Sequence, residues 1–211
     1  MQNVRTAGFT LIEILTVIVI IGILATVLIT QFGSVEAAAE KELTRQTVAK
    51  LEAVIASYEN ENGGWPPSHF TSDQEVVSDG TNVGAEALVV ALWSNDWEAG
   101  GHLEDVESEL VNTDGDASSK HLTDFGVRSL LEIPDAWGNP FAYIRNDDYE
   151  VTGRQYVTYH PQTGDELVST PVAFKNKTTG RFYNPFSFQL FSAGYDGEFG
   201  TEDDITSFER D

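Results

Sequence analysis

The spacing of apolar and polar residues divides the first sixty positions into two halves of one predicted helix. Residues 9–29, FTLIEILTVIVIIGILATVLI, are apolar at almost every position. An α-helix needs about 20 such residues to cross the hydrocarbon core of a bilayer. We therefore expect residues 9–30 to form the membrane-spanning half of a long helix.

The second half, residues 31–62, has the pattern of a helix that packs on a domain. It is rich in Ala, Glu, Lys and Leu, which have high helix propensity. Its apolar residues recur three and four positions apart, and so share one face; they are Leu51, Val54, Ile55 and Tyr58. The sequence Asn62-Gly63-Gly64 before Pro66-Pro67 is a strong signal for the end of the helix.

Residues 63–211 contain shorter elements that are typical of an α+β domain. Residues 84–93, GAEALVVALW, predict a short buried helix, whereas the polar, acidic residues 94–124 predict an exposed loop. Three later stretches predict a turn with a strand (135–144), a second strand (154–160) and a third with alternating polarity (186–193). This order predicts a small antiparallel sheet packed on the second half of the long helix.

The charge is strongly negative and lies almost entirely beyond the apolar segment. The chain has 34 acidic and 12 basic residues, a formal net charge of −22, and no cysteine. A nucleic-acid interface depends on Lys and Arg contacts to phosphates, so the balance argues against nucleic acid as a partner. Without cysteine, disulfides and thiolate zinc sites are excluded. The acidic surface suits divalent cations instead.

No arrangement of residues in the sequence indicates catalysis. The histidines are scattered without metal-ligand spacing, and the sequence has no G-x-S-x-G, P-loop or G-x-G-x-x-G pattern. Asp114-Gly-Asp116 has the spacing of the start of an EF-hand loop. Its twelfth position is Phe125, however, where an EF-hand needs a bidentate Glu. We therefore expect a protein that is not an enzyme, and no calcium at Asp114.

Glu13 is unusual because a carboxylate inside an apolar membrane helix is costly. Inserting such a residue costs roughly 2.5–3.5 kcal/mol, so it is usually functional. A secretory signal peptide would have a shorter apolar centre and a small-residue cleavage site, and an ordinary signal anchor leaves Glu13 unexplained. A Glu tolerated near the lipid headgroups is a further alternative. The surrounding residues 7–13, AGFTLIE, favour a functional role.

The heptapeptide AGFTLIE resembles the N-terminus of the type IV pilin and pseudopilin superfamily. In these proteins a short polar leader ends in Gly, and Phe-Thr-Leu-Ile-Glu opens a long apolar helix. The resemblance implies a leader of residues 1–8, cut by a prepilin peptidase between Gly8 and Phe9, with N-methylation of Phe9. It also implies that the Glu13 carboxylate neutralises the Phe9 amine of a neighbouring subunit. Such a pair costs far less in low dielectric than either charge alone.

Three further stretches resemble the major pseudopilins of type II secretion. ENGGWPPS is similar to the segment that ends their long helix, with Trp65 where Tyr is usual. DAWGNPFAY is similar to their Asp-Pro-Trp-Gly-Asn-Pro-Tyr motif, and residues 192–205, SAGYDGEFGTEDDI, to their C-terminal end. The stretches 94–130 and 168–183 are larger than the usual loops of this family. Many pilus subunits close the C-terminal region with a disulfide, which this chain cannot form.

SAGYDGEFGTEDDI is also the best candidate cation site in the sequence. Calcium takes roughly six to eight oxygen ligands from carboxylates and carbonyls on flexible loops. Two glycine turns could return Asp203 and Asp204 to Asp196, with the carbonyls of Ala193 and Phe199 as backbone ligands. From spacing alone, a solvated turn remains the alternative. The resemblance implies calcium with Asp196 and Asp203 as side-chain ligands, and Asp204 as a further carboxylate.

Together these features predict a filament-forming pseudopilin of a type II secretion system. It would cross the inner membrane once, with the domain of residues 63–211 in the periplasm. The resemblance implies as partners further copies of the chain in a helical filament, other pseudopilins, the prepilin peptidase and an inner-membrane assembly platform. One alternative with the same architecture is a type IV pilus subunit for adhesion or motility. Another is a calcium-dependent binding module, or an acid-dyad hydrolase, that uses the pilin signal for export.

Overall fold

The computed structural model of the chain describes residues 9–71, 74, 76, 80–94, 97, 98, 103 and 106–210. The chain divides into two units, Met1–Ala39 and Glu40–Asp211. Helix α1, Leu11–Asn62, begins in the first unit and ends in the second. Gly8, which precedes the predicted cleavage point, lies outside the described residues.

In the first unit, every residue from Phe9 to Thr26 is exposed. Most of these residues are aliphatic, so this part of α1 carries a continuous apolar surface. Among the described residues, no helix is both long and apolar enough to cross a membrane. The membrane-spanning half at residues 9–30 stays a prediction.

In the second unit, the apolar stripe of α1 lies in the core of the domain. Leu51 and Ile55 are completely buried, Val54 is almost so, and Tyr58 packs against the same cluster from its margin. The helix ends at Asn62, and Gly63 adopts a φ of 74°, which glycine tolerates without steric cost. The predicted stripe and the predicted helix end are both confirmed.

Among the described residues of the second unit, a second α-helix and seven short strands follow α1. Helix α2 is Val83–Leu92, and all its residues from Gly84 onward are buried, which confirms the predicted buried helix. The strands are β1 (Trp93–Ser94), β2 (Trp97–Glu98), β3 (Ala142–Arg145), β4 (Tyr156–Tyr159), β5 (Glu166–Ser169), β6 (Phe188–Ser192) and β7 (Ile205–Thr206). The predicted strands correspond to β3, β4 and β6, whereas β5 and β7 were not predicted.

The seven described strands pair in antiparallel fashion, and an isolated bridge between Thr81 and Gln155 is parallel. One sheet has the order β3-β6-β7, and β1–β2 and β4–β5 form two separate pairs. In the three-stranded sheet, Tyr143 lies opposite Leu190 and Ser192 opposite Ile205. A long helix followed by a small antiparallel sheet confirms the predicted α+β class.

The three-stranded sheet has a core on each face. On one face, Tyr143 and Leu190 share a cluster with the α1 stripe and with Leu88 of α2. On the other, Ile144 and Phe191 belong to a second cluster, whose further buried members are Ala85, Ala142, Tyr149, Tyr156 and Ala173. Successive residues of a strand point to opposite faces, so the two clusters lie on opposite sides of the sheet.

The predicted alternation in β6 is wrong, because all five of its residues are buried. The residues around 168–183 cover the second face of the sheet. Gln189 accepts a hydrogen bond from the Phe174 N–H at 2.7 Å and donates to the carbonyls of Phe174 and Tyr183 at 3.0 and 2.9 Å. Within this stretch Ala173 is buried in the second cluster and Phe174 and Phe182 pack against it, whereas most of the other residues are exposed.

The prediction that residues 94–124 form an exposed loop also needs correction. β1 and β2 pair within and beside this stretch, and Leu103 and Val106 are buried in the main cluster. Isolated apolar residues within an acidic stretch give no periodic pattern, so the sequence did not reveal that they are buried. The residues around them include exposed positions such as Glu107 and Glu109, as predicted.

The turn at residues 135–139 connects the sheet with α1. The Asp135 carboxylate accepts hydrogen bonds from the N–H groups of Trp137 and Asn139 at 2.9 and 3.0 Å, and from the Ser192 hydroxyl at 2.5 Å. The Trp137 indole N–H donates to Glu40 of α1 at 2.7 Å. Burial raises the pKa of Asp135 to about 6, although these three hydrogen bonds oppose the shift.

The same turn also holds β4. The Asn139 side chain accepts from the Tyr159 N–H at 2.7 Å and donates to the Tyr159 carbonyl at 3.0 Å. This pattern copies the hydrogen bonding of a neighbouring strand, so a single side chain continues the ladder at the end of β4. The DAWGN sequence therefore positions α1, β4 and β6 together.

We expect Asp135→Ala to lower the free energy of unfolding by about 3 kcal/mol, because it leaves buried donors without an acceptor. Denaturant unfolding of the purified chain measures this loss. Asp165→Ala removes an exposed carboxylate and is the matched control, with an expected effect within about 0.5 kcal/mol. Equal stability of the two variants would contradict the role assigned to Asp135.

Candidate functional site

The C-terminal loop, defined here as residues 192–210, closes on itself at Gly194. This glycine has a φ of 71°, and a Cβ placed on it would lie 2.6 Å from the Asp203 carbonyl oxygen and 2.8 Å from Asp203 Oδ2. The Gly194 N–H donates to the Ser192 hydroxyl at 3.0 Å. Only glycine fits where the two ends of the loop approach so closely.

Two of the predicted ligands, Asp196 and Asp203, are brought together by this closure. The Asp196 N–H donates to Asp203 Oδ2 at 3.1 Å, and the Thr201 hydroxyl donates to Asp203 Oδ1. Burial and the neighbouring Asp203 charge raise the pKa of Asp196. Burial also acts to raise the pKa of Asp203, but the hydrogen bonds it accepts outweigh that effect and lower it. The loop therefore holds Asp203 ionised beside a second carboxylate.

Asp204, the third predicted carboxylate, is buried and has other hydrogen-bond partners than Asp196 and Asp203. Its Oδ2 accepts from the Gly200 N–H at 2.9 Å and lies 3.4 Å from the Arg210 guanidinium. Its Oδ1 is buried without a hydrogen-bond donor among the described residues. Burial raises the pKa of Asp204 to about 6, although the Gly200 hydrogen bond and the Arg210 charge oppose this.

Arg210 is a part of the loop that sequence reasoning missed. Its guanidinium donates to the carbonyls of Thr201, Glu202 and Asp204 at 3.0–3.1 Å. The only sign in the sequence was a basic residue at the end of an acidic stretch. Arg210 supplies some of the positive charge that the carboxylates of the loop require.

The two predicted backbone ligands lie at the base of the loop. Ala193 is fully buried directly after β6. Phe199 is half-buried, and its ring packs edge-on against Tyr156 and Phe191, with centroids 5.4 and 5.6 Å away. These aromatic contacts fix the backbone at Phe199 between Asp196 and Asp203.

The residues of the loop fit a hard cation better than a transition metal. Every candidate ligand is an oxygen, as calcium prefers. Asp204 Oδ1 is a buried acceptor whose hydrogen-bonding capacity is unused. Because Arg210 already lies against Asp204 Oδ2, a cation would rely chiefly on Asp196 and Asp203.

Glu13, the predicted assembly residue, forms a capping box with Thr10 at the start of α1. The Thr10 N–H and hydroxyl donate to Glu13 Oε2 at 2.7 and 2.8 Å, and the Glu13 N–H donates back to the Thr10 hydroxyl at 3.3 Å. Phe9, the predicted methylated residue, is 81% exposed just before the helix. The TLIE sequence is a capping-box signature that sequence reasoning did not use.

A second carboxylate group, which sequence reasoning also missed, lies at the start of α2. One ligand oxygen from each of Glu86, Asp114 and Glu132 lies within 4.8 Å of the others. Burial, followed by the charges of Asp116, Asp114 and Glu132, raises the pKa of Glu86 to about 10. Burial raises the pKa of Glu132 to about 8, against hydrogen bonds from Asn82 and Thr113. The three residues are far apart in the sequence, so no motif could reveal the group.

Comparison with known proteins gives two kinds of match. The family described as the prokaryotic N-terminal methylation motif matches residues 4–29. The chain is also similar to the type II secretion system core protein G of Pseudomonas aeruginosa, with 27% identity over 144 residues, 68% of this chain and 77% of the relative. No solved structure matches.

Two further core protein G relatives align along nearly the whole chain. The Escherichia coli K12 protein is 24% identical over 204 residues, which is 97% of this chain and 92% of the relative. The Aeromonas hydrophila protein is 24% identical over 209 residues, 97% of this chain and 94% of the relative. The motif match contains Phe9 and Glu13, the residues that carried the resemblance.

The chain therefore resembles the type IV pilin-like proteins, through its N-terminal motif and through its similarity to three core protein G relatives. The resemblance drawn from AGFTLIE is thereby confirmed, and the motif together with the three relatives supports a major pseudopilin. The same findings imply a membrane-anchored protein.

We expect Gly194→Ala to open the C-terminal loop and to lower the free energy of unfolding by about 2–4 kcal/mol. Its Cβ would collide with Asp203 at a φ that alanine adopts only with strain. Gly64→Ala is the matched control, because no atom lies within 4 Å of its Cβ position. Chemical denaturation measures both, and a Gly194→Ala protein as stable as Gly64→Ala would contradict the closed loop.

Proposed function

We propose that this pilin-like protein is a filament-forming pseudopilin of a type II secretion system. The main support is the N-terminal methylation motif combined with similarity to three core protein G relatives, two of which align along nearly the whole chain. The role is mechanical. Subunits would wait in the inner membrane and be drawn into a helical filament by an assembly platform and its cytoplasmic ATPase. The growing filament would drive folded proteins through an outer-membrane channel.

The membrane arrangement follows from the same proposal. The prepilin peptidase would cut between Gly8 and Phe9 and methylate the new amine. Phe9 and the exposed apolar residues at the start of α1 would lie in the inner membrane, so that the chain crosses it once, and the second unit would lie in the periplasm. In the filament, that apolar surface would pack against other copies of α1 and other pseudopilins. The net charge of −22 argues against nucleic acid as a partner.

Glu13 has a chemical reason to act in assembly. Both hydrogen bonds from Thr10 end on Oε2, so Oε1 takes part in neither. The Phe9 amine of a neighbouring subunit would meet this second oxygen and form a charge-assisted pair. The carboxylate would thereby serve two purposes, capping its own helix and aligning the next subunit.

We expect Glu13→Leu to insert into the membrane but to assemble into few filaments, because the amine of the incoming subunit would lose its counter-charge. Glu13→Gln separates the two purposes, since an amide can still accept from Thr10 but carries no charge. We expect it to fail as well. Sheared-filament yield and membrane fractionation measure assembly and insertion, with Glu36→Leu as a control at an exposed position of the same helix. Wild-type filament yield from Glu13→Leu would contradict the pairing.

Deletion of the gene tests the secretion assignment itself. We expect the deletion strain to retain its secreted enzymes in the periplasm while its surface pili remain, and expression of the wild-type chain to restore secretion. Loss of surface pili with normal secretion would instead identify a type IV pilus subunit. Normal secretion and normal pili would favour an exported binding module.

Calcium is the proposed ligand of the C-terminal loop. Asp196 and Asp203 already lie side by side, and their mutual repulsion opposes closure of the loop unless a cation offsets it. A chain without cysteine has no disulfide with which to fasten this end of the domain, and a metal can take that role. The bound ion would order the loop and with it the subunit contacts in the filament.

We expect calcium to raise the melting temperature of the metal-stripped chain, with a gain of ~2.7 kcal/mol per site at about 100 times its Kd. Asp196→Ala and Asp203→Ala are each expected to remove the part of this stability gain that comes from calcium bound at the loop. Glu198→Ala, an exposed carboxylate of the same loop, keeps it. Thermal melts across a calcium titration measure the difference. An identical calcium response in all four proteins would rule out the site.

A further inference from the structure

The carboxylate group at the start of α2 is made of residues distinct from those of the C-terminal loop. Glu86 lies in the first turn of α2, Asp114 in a turn and Glu132 on a segment that pairs with Val111. One oxygen from each lies within 4.8 Å of the other two. Three carboxylates at such distances repel one another strongly in a poorly solvated site.

Among the three carboxylates, Glu86 is the one whose burial requires an explanation. The residue is completely buried, and neither carboxylate oxygen has a hydrogen-bond donor among the described residues. Buried polar groups are nearly always hydrogen-bonded, and a buried carboxylate without a partner is costly. The neighbouring Asp116 carboxylate can only accept when it is ionised, so it offers Glu86 no donor, and both oxygens of Glu86 are available to a ligand where the other carboxylates converge.

Glu132, by contrast, is held in place by three donors. Its Oε1 accepts from the Asn82 amide at 2.8 Å and the Thr113 hydroxyl at 3.3 Å, and its Oε2 accepts from the Thr113 N–H at 3.1 Å. Asn82 is itself fully buried in a left-handed conformation with a φ of 50°. Such hydrogen bonds favour the ionised carboxylate and fix its direction, as the outer partners of metal ligands do.

The turn at residues 112–116 presents the remaining acids. The Asn112 side chain accepts from the Gly115 N–H at 2.7 Å and donates to the Asp116 carbonyl at 2.8 Å. Gly115 has a φ of 77°, which lets the chain reverse between Asp114 and Asp116. The turn thus brings both aspartates towards Glu86 and Glu132.

We propose that Glu86, Asp114 and Glu132 bind one calcium ion, with Asp116 at the edge of the site. All the donors are carboxylate oxygens, which suit calcium and disfavour zinc or copper. A divalent cation would occupy the convergence point, satisfy the oxygens of Glu86 and offset the repulsion. The ligands come from a helix and two later segments, so this is not an EF-hand loop. The expectation of no calcium at Asp114 considered that motif only.

The ion would connect the first turn of α2 to residues 112–132. α2 lies in the main core beside the α1 stripe, so the site would fix part of the enlarged 94–130 stretch against the body of the domain. The alternative to a cation is a set of shared protons, with Glu86 neutral. A cation site predicts that calcium binds to this group of carboxylates, whereas shared protons predict that it does not.

Calorimetric titration of the metal-stripped, full-length chain in detergent tests the proposal. The Asp203→Ala substitution is included to silence the C-terminal loop. We expect this protein to bind one calcium ion per chain. Adding Glu86→Gln weakens calcium binding by more than about 100-fold, since even outer partners of metal ligands are worth 10–100-fold. Adding Glu109→Gln, an exposed glutamate nearby in the sequence, leaves the binding unchanged.

A second variant and a second measurement separate loss of binding from loss of folding. Without calcium, Glu86→Gln is expected to melt no lower than its parent, because the uncharged amide adds no repulsion among the neighbouring carboxylates. Asp114→Asn is expected to lose binding as well. Calcium affinity unchanged by Glu86→Gln would overturn the proposal. A folded Asp203→Ala protein that binds no calcium would also overturn the proposal. If the wild type binds one calcium ion in that case, the C-terminal loop is the only site that binds it.

Discussion

Asp135 lies almost fully buried where the three-stranded sheet meets α1, and its carboxylate accepts hydrogen bonds from Trp137, Asn139 and Ser192. One side chain thus shapes a turn and holds it to β6. The shaped turn then directs the Trp137 indole to Glu40 and the Asn139 amide to β4. Because Ser192 also begins the C-terminal loop, the position of that loop depends on the same carboxylate.

An acidic chain must fold with many of its carboxylates close together. Repulsion among them is tolerable at the surface but not in poorly solvated sites. In the C-terminal loop, the Arg210 guanidinium offsets part of this repulsion at Asp204. Asp196 and Asp203 remain next to each other. Among the described residues, no ion pair places a basic side chain against the buried Glu86 carboxylate. Both places rely on glycine turns to bring acids together, and in both a hard cation is the simplest compensation.

The N-terminus joins local structure to function through one residue. Glu13 caps its own helix with Thr10, a local interaction that needs no partner. A carboxylate is costly in an apolar segment, and the proposed pairing between subunits would account for that cost. The motif match over residues 4–29 includes both capping residues, which explains why this part of the sequence was the most informative about function.

The sequence by itself determined what depends on neighbours in the chain. It predicted the long helix with its stripe at Leu51 and Ile55, the end at Gly63, and the pilin-like N-terminus. Only the tertiary structure decided that β6 is buried on both faces and that Glu86 meets Asp114 and Glu132. Those outcomes depend on segments far apart in the chain that cover or approach one another. Periodicity and motif spacing describe separations along the chain, whereas burial and charge compensation depend on separations in space.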